Sequence, residues 1–195
     1  MTWPPREPNE PMTDEQLIAA TVGERPIHGG PVYLAEYDHT WPDVFARHRE
    51  RIAAALGERA LQIEHVGSTS VPGLAAKPTI DILMVVASSA NEDTYLPAME
   101  AAGYELRIRE PEWHEHRMFA DRERTAQVHV LSDGNAEIEC YLLFRDRLRT
   151  DQTDRERYER TKRELAKKDW KYVQNYADAK GSVVEEIIAR AREVG

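Results

Sequence analysis

The residues best suited to chemistry lie in one stretch, 65–83, which has the sequence HVGSTSVPGLAAKPTIDIL. The stretch contains few charges, although 31% of the whole chain is charged. Gly67 lets the backbone come close to a ligand, and the N–H groups of such a turn bind phosphate oxygens. Three hydroxyl groups add hydrogen-bond donors: Ser68, Thr69 and Ser70. The stretch predicts a phosphate-binding turn, and an ordinary tight turn is the alternative interpretation.

Two charged residues follow this turn. Lys77 supplies a positive charge for a phosphate, and Asp81 lies inside an apolar run that predicts a strand buried on both faces. Twelve residues separate Ser68 from Asp81, so the carboxylate can return to the turn on a neighbouring strand. A hard oxygen ligand beside phosphate donors suits a Mg²⁺-bound triphosphate. We predict catalytic roles for Lys77 and Asp81, with Asp81 as the Mg²⁺ ligand. A core carboxylate satisfied by backbone donors is the alternative for Asp81.

Two histidines could complete a different metal site. His116 lies at the start of a predicted strand and His129 in the middle of another. Neutral imidazole is a common metal ligand, so both side chains could converge with Asp81 on one divalent metal. Histidines hydrogen-bonded within the core are the alternative interpretation.

Two tyrosine–lysine pairs occur near the end of the chain. Tyr158 and Lys162 are four residues apart, as are Tyr176 and Lys180, so each pair lies on one side of a helix. An aromatic ring beside a lysine can stack on a base and contact a phosphate, and we predict nucleotide binding by Tyr176 and Lys180. Helix packing with lysines that extend to solvent is the alternative. The segment RERYERTKRELAKK around the first pair is predicted to be a solvated helix face.

The composition excludes several classes of partner. The 35 acidic and 26 basic residues give a net charge of −9, which argues against a nucleic-acid-binding protein. No apolar run is long enough to span a membrane and no leader pattern begins at Met1, so we expect no membrane partner. Cys140 is the only cysteine, which makes the reducing cytoplasm the expected location. A nucleotide or another phosphorylated small molecule fits this composition.

The elements that must position these residues follow from hydrophobic periodicity. Helices are predicted in HTWPDVFARHRERIAAALG, NEDTYLPAMEAAG, AEIECYLLFRDRLR, TDRERYERTKRELAKKDW and YADAKGSVVEEIIARAREV. Strands are predicted in ALQIEHV, TIDILMVV, YELRIR, HRMFA and QVHVLS. Thr13 with Gln16 and Thr153 with Glu156 are predicted capping boxes, and Thr40 is a predicted helix cap.

The order of these elements predicts an α/β (α+β) fold. A mixed, twisted sheet is flanked by helices, and a helical layer lies at the C-terminal end. We expect a flexible N-terminal extension with a short helix at residues 1–30. A core at 31–150 and a helical segment packed on it at 151–195 follow.

The Gly-Ser pair, the dozen residues after it and the aspartate on a strand resemble the nucleotidyltransferase superfamily typified by DNA polymerase β. The longer string EHVGSTSVPGLAAKPTIDI is similar to the GrpB family of that superfamily, together with EWHEHRMF, LLFRDRLR and YADAKG. The resemblance extends over about residues 31–191 and implies a nucleotidyltransferase-like fold that binds Mg²⁺ and a nucleoside triphosphate. It implies that Arg117 and Arg145 act on the phosphate side of the site, Arg117 as a catalytic residue. Salt bridges to Asp146 or to nearby Glu residues are the alternative interpretation for both arginines.

The sequence also departs from the superfamily. A second carboxylate is typical two residues after the first, and Leu83 stands there. The later strand that usually carries a third carboxylate offers His129. Relatives often have Arg-His before LLFRD, where this chain has Cys140-Tyr141. These departures leave two further hypotheses: a non-catalytic module for a nucleotide or CoA-type ligand, since GrpB-like domains also occur fused to dephospho-CoA kinase, and a His/Asp metal-dependent enzyme of specialised metabolism.

Overall fold

The computed structural model describes residues 11–194 and contains one five-stranded sheet. The strands are β1 (Gln62–Val66), β2 (Ile80–Val86), β3 (Tyr104–Glu110), β4 (His116–Asp121) and β5 (Ala126–Ser132). Their spatial order is β1-β2-β5-β4-β3, with β2 and β5 parallel and every other pair antiparallel. The predicted mixed sheet of an α+β protein is confirmed.

Seven α-helices surround this sheet within residues 11–194. They are α1 (Asp14–Ala20), α2 (Trp41–Leu56), α3 (Leu96–Ala101), α4 (Ala136–Thr150), α5 (Gln152–Ala166), α6 (Val173–Asp178) and α7 (Gly181–Val194). No helix in this part of the chain combines the length and the apolar character that crossing a membrane requires.

The helix caps differ from the predictions in two places. Thr13 forms the predicted capping box with Gln16. The prediction for Thr153 is wrong, because the cap is Asp151, two residues earlier, and its side chain accepts from the N–H of Asp154. Thr40 precedes α2 as predicted but makes no side-chain cap bond. The helix predicted around YADAKGSVV is divided into α6 and α7, which places Lys180 between them.

The two faces of the sheet have different roles. On one face Ile82, Phe119 and Val128 pack with Ile52 and Leu56 of α2 in the largest buried apolar cluster. We call this the core face. Because side chains alternate along a strand, Asp81, Leu83 and His129 lie on the other face, which we call the site face.

Helix α4 covers one end of the site face. Leu83 is fully buried there in a cluster with Val85 and Leu131, against Tyr141 and Leu142 of α4. Asp81 lies two residues earlier on β2, beyond the part that α4 covers, and its side chain is 31% exposed. The same strand face is therefore apolar and closed at Leu83 but open at Asp81.

The N-terminal segment lies against the other end of the molecule. Leu17 and Met12 are buried with Tyr172 next to α6. The N–H of Met12 donates to Asp178 (3.0 Å), and Thr21 makes a β-bridge with Ile108 of β3. Residues 11–30 thus contact both the sheet and the C-terminal helices. The first ten residues of the predicted flexible extension lie outside the described residues.

Candidate functional site

A cavity of about 570 Å³ lies between the open part of the site face and the C-terminal helices. We call it the central cavity. Its wall includes the turn after β1, the exposed end of β2 and residues of β4, β5, α5 and α6. Nine of the predicted site residues line it: Gly67, Ser68, Thr69, Lys77, Asp81, His116, His129, Tyr176 and Lys180. The structure therefore brings together residues that lie more than a hundred positions apart.

The turn after β1 is held against Asp81 by a glycine. Gly67 has φ +67°, a left-handed conformation that other residues adopt only with strain, and a short 3₁₀ helix, Ser68–Ser70, follows it. A Cβ atom placed on Gly67 would lie 2.9 Å from the Cβ of Asp81. Only glycine therefore lets this turn and the carboxylate approach each other this closely.

The three hydroxyl groups of the turn have different surroundings. The Ser68 hydroxyl lies on the cavity wall and hydrogen-bonds with Tyr158. Thr69 is buried, and its Oγ1 lies 3.1 Å from Nε2 of His65. Ser70 donates to the carbonyl of Gly67 (2.7 Å) and does not line the central cavity. Of the three predicted hydroxyls, Ser68 and Thr69 reach this cavity, and Ser70 stabilises the turn.

Three lysines face Asp81 across the cavity: Lys77, Lys162 and Lys180. Their charges interact with the Asp81 carboxylate, but within residues 11–194 none of them forms an ion pair within 4.0 Å. Burial lowers the pKa of Lys162 to about 7 and that of Lys180 to about 8, and it also lowers the pKa of Lys77. The positive charge of Lys180 lowers the pKa of both other lysines further. The cavity thus concentrates positive charge that an anion could neutralise.

Each of two lysines lies over the tyrosine four residues before it. Nζ of Lys162 is 4.8 Å from the ring centre of Tyr158, and Nζ of Lys180 is 4.3 Å from that of Tyr176. Lys162 also donates to the carbonyl of Ala75 and is 1% exposed. The hydroxyl of Tyr176 is the only buried side-chain polar atom without a hydrogen-bond partner in the described part of the chain. A buried donor on the cavity wall is costly to leave unpaired, so it fits an acceptor supplied by a ligand.

Lys162 is the site residue that the sequence interpretation missed. The prediction of a solvated face for RERYERTKRELAKK is wrong along one stripe, because Asp154, Tyr158, Lys162 and Ala166 are all buried. These positions recur every four residues, which is the spacing of one helix face. The four-residue spacing was visible in the sequence, but it did not read as a buried face because three of the four residues are polar or charged.

Four side chains form a row along the cavity wall, joined by two hydrogen bonds and one longer contact. Nδ1 of His116 lies 2.7 Å from Glu110, its Nε2 lies 3.0 Å from Nδ1 of His129, and Nε2 of His129 lies 3.8 Å from Asp81. Both ring nitrogens of His116 are thereby occupied. Burial lowers the pKa of His116, and the Glu110 carboxylate opposes that shift.

This row differs from the predicted three-ligand metal site. Among the described residues, no group of three or more His, Cys, Asp and Glu side chains is placed to hold a metal ion. The physical reason is that His116 turns its nitrogens to Glu110 and His129 instead of to a point shared with Asp81. Of the three predicted ligands, Asp81 and His129 face each other and His116 does not face Asp81. Tyr141 of α4 approaches the same row, with its hydroxyl 3.5 Å from Nδ1 of His129.

The two predicted arginines lie away from the central cavity. Arg117 points to the core face, where it is 5% exposed and bonds to Glu92 (2.5 Å). Arg145 bonds to Glu64 (2.8 Å) on β1, the strand at the edge of the sheet. Neither residue is on the cavity wall. The structure therefore does not bring Arg117 or Arg145 to the Asp81 site.

Comparisons with known proteins match this chain over the same elements. The model of the family described as GrpB protein matches residues 31–190. A UPF0157 protein of Halalkalibacterium halodurans is 55% identical over 181 residues, which are 93% of each chain. The crystal structure of the conserved protein GrpB from Enterococcus faecalis has a TM-score of 0.72 and 31% identity, covering 82% of this chain and 96% of that one.

A longer relative is named dephospho-CoA kinase, from Mycolicibacterium paratuberculosis. It is 33% identical over 77% of this chain, but the match spans 44% of the kinase. The family match, by contrast, includes the turn, Asp81 and all three lysines of the central cavity. The chain that carries this site belongs to the GrpB family.

Proposed function

We propose that this GrpB-family protein binds a nucleoside triphosphate with Mg²⁺ in the central cavity and transfers a nucleotidyl group from it to a small molecule or a protein. The observation that carries the proposal is the set of three lysines around Asp81 that have no carboxylate partner within 4.0 Å in the described part of the chain. A triphosphate carries several negative charges and would neutralise them. The Tyr176 hydroxyl would gain its missing hydrogen-bond partner.

The residues of the cavity fit the parts of such a ligand. The Gly67–Thr69 backbone, the Ser68 hydroxyl, Lys77, Lys162 and Lys180 would bind phosphate oxygens. The half-exposed carboxylate of Asp81 would hold Mg²⁺, which prefers oxygen ligands and offsets phosphate charge when bound. The cavity volume of about 570 Å³ lies within the range of small-molecule sites.

Transfer would join an acceptor oxygen or nitrogen to the α-phosphorus and break the bond to the β-phosphate, so that pyrophosphate leaves. His129 would take the acceptor proton at Nε2. This nitrogen faces the cavity because Nδ1 is bonded to His116. Lys77 beside the phosphates would offset the charge that develops during transfer.

A second function is favoured by one observation. Leu83 occupies the usual second carboxylate position and is fully buried under α4, so β2 offers a single acidic ligand to the cavity. A two-metal mechanism requires more ligands than that. A non-catalytic module that binds a nucleotide or a CoA-type ligand would need the lysines but not a second metal.

Ligand binding can be tested by calorimetry with ATP, GTP, CTP and UTP, with and without Mg²⁺. Asp81→Asn should abolish the Mg²⁺-dependent part of the affinity and retain the fold, because the two side chains have nearly the same shape. Lys180→Met should weaken binding at least tenfold, as expected for a lost charge-assisted hydrogen bond of about 1.5–3 kcal/mol. Asp93→Asn and Lys168→Met make the same changes at exposed positions and should bind as the parent does.

Transfer is tested separately with a triphosphate labelled at the α-phosphate. A labelled product that requires Asp81 supports the transferase. Tight binding without any transfer to hydroxyl, amine or protein acceptors supports the binding module. If the parent binds none of the four nucleotides, with or without Mg²⁺, the nucleotide assignment is wrong.

A further inference from the structure

A second cavity, of about 860 Å³, lies on the other side of the turn that follows β1. We call it the arginine cavity. Four arginines line it: Arg49 of α2, Arg145 and Arg149 of α4, and Arg155 of α5. Among the described residues, Glu64 is the only acidic one that lines it as well. In a chain with a net charge of −9, this concentration of positive charge from three helices requires an explanation.

Two of these arginines have a structural role that accounts for their position. Nε of Arg149 donates to the carbonyl of Ser70 (3.0 Å), and Arg145 donates to Glu64 (2.8 Å) and to the carbonyl of His65 (3.3 Å). Asp146 bonds to Arg145 (2.7 Å) and lies 3.5 Å from Arg149. Both arginines thus hold the turn and β1 to α4.

The other two arginines, Arg49 and Arg155, have no carboxylate partner within 4.0 Å among residues 11–194. Within residues 11–194 the Arg155 side chain donates only to main-chain carbonyls at the end of α4, those of Leu148 and Arg149. Arg49 is exposed, and its side chain makes no hydrogen bond or ion pair with any residue from 11 to 194. Four guanidinium charges therefore face two carboxylates, those of Glu64 and Asp146, and about two positive charges remain unbalanced.

The rest of the wall offers flat, uncharged surfaces. The rings of Phe45 and His65 are stacked with their centres 4.7 Å apart, and Tyr37 lies on the same wall. Burial lowers the pKa of His65 to about 4, so this ring is neutral at pH 7 and adds no charge. A ligand that fits has a compact anionic group and an aromatic or apolar part.

We propose that the arginine cavity is a second ligand site, separate from the central cavity, for a small phosphate monoester with an aromatic or apolar part. A phosphate monoester carries a charge of about −1.5 to −2 at pH 7, which matches the unbalanced charge of the wall. A guanidinium group can donate two parallel hydrogen bonds to phosphate oxygens, and four guanidinium groups surround this cavity. The site does not depend on nucleotide binding in the central cavity.

The test uses phenyl phosphate as the probe, in a buffer free of phosphate and divalent metals. Binding is measured by calorimetry and located by the amide chemical shifts of the isotope-labelled full chain. The expected shifts are at Phe45, Arg49, His65 and Ser70, whereas shifts confined to the central cavity, at Asp81 and Lys180, would overturn the proposal. Phenyl sulfate, with one negative charge, should bind at least fivefold more weakly than phenyl phosphate.

Matched variants decide whether phenyl phosphate binding requires the cavity or only positive charge on the nearby surface. Arg49→Gln should weaken phenyl phosphate binding at least fivefold, and Arg155→Gln should act in the same direction. Arg47→Gln removes the same charge from an exposed position two residues before Arg49 that does not line the cavity, and it should change the affinity less than twofold. An equal loss in Arg47→Gln would overturn the proposal, as would unchanged affinity in Arg49→Gln. Lys180→Met should leave these shifts intact whether or not the protein binds nucleotides.

Discussion

The central cavity and the arginine cavity lie on opposite sides of one turn and are positive for different physical reasons. Lys162 of the central cavity is buried, and Lys77 and Lys180 are partly buried. All three have lowered pKa values and no carboxylate within 4.0 Å among residues 11–194. Arg145 and Arg149 are fixed by carboxylates and main-chain carbonyls. A guanidinium group stays protonated at any ordinary pH, whereas a buried lysine can lose its proton. The first charge is therefore adjustable and the second permanent.

The largest effect is expected from breaking the turn that both cavities share. Gly67→Ala should destabilise the protein by about 2–4 kcal/mol, because its left-handed φ disfavours a side chain and the new Cβ would meet Asp81. Gly73→Ala is the control, since Gly73 has φ +79° but nothing within 4 Å of an added Cβ, and only about 1–2 kcal/mol is expected. Urea unfolding measures both. Equal losses would show that contact with Asp81 does not constrain the turn.

The lysines should make the stability of the protein depend on pH. A lysine in the unfolded chain has a pKa of 10.5, but Lys162 and Lys180 have values of about 7 and about 8 in the folded protein. At pH values between the folded and unfolded pKa, the unfolded chain binds more protons than the folded protein. The free energy of unfolding should therefore rise as pH increases from about 7 to 10. It should be lost again as pH falls through the folded-state values.

Substitution tests that origin of the pH dependence. Lys162→Met should reduce the rise in unfolding free energy by about half, since Lys180 still contributes. Lys168→Met, at an exposed position, should retain the full rise. Urea unfolding at a series of pH values measures the slope. A slope that is the same in Lys162→Met and in the parent would mean that Lys162 stays protonated throughout.

The ligand affinities of the two cavities should depend differently on pH. The affinity of the central cavity should fall as pH rises, which is opposite to the change in the free energy of unfolding. Anion binding in the central cavity should weaken about tenfold for each lysine that loses its proton, as pH rises through the values of about 7 and about 8. The affinity of the arginine cavity for phenyl phosphate should change less than threefold from pH 7.5 to 9.5, where the monoester is fully ionised. Calorimetry at each pH measures both, and parallel losses would remove the distinction between lysine and arginine sites.

The smallest effect is expected from Arg145→Lys. The guanidinium contacts Glu64, Asp146 and the His65 carbonyl together, and a lysine cannot reproduce that planar arrangement. We expect a loss of about 0.5–1 kcal/mol in urea unfolding, because surface ion pairs contribute little. The central cavity should bind its ligands unchanged, since Arg145 is not on its wall. A larger effect there than in the arginine cavity would contradict the separation of the two sites.

The sequence predicted cavity-lining residues where a local pattern marks them, and it missed Lys162, whose position depends on a distant contact. The turn at Gly67 and the return of the chain to Asp81 follow from local spacing, and both line the cavity. The alternation of side chains along β4 could have excluded Arg117 from the site. Arg117 is adjacent to His116, so the two side chains lie on opposite faces of the sheet. The buried state of Lys162 depends on how α5 packs against Ala75, 87 residues away, which no local pattern encodes.

The hydrogen bond from Lys162 to the carbonyl of Ala75 also affects the order in which parts of the protein fold during synthesis. The ribosome completes all five strands by Ser132, before any residue of α5 has been synthesised. The sheet and the Gly67 turn can then form while Asp81 still faces water, and docking of α5 and α6 would come last. Contacts between residues so far apart form slowly. We expect the emerging chain to hold a folded sheet without a cavity until α5 and α6 leave the ribosome.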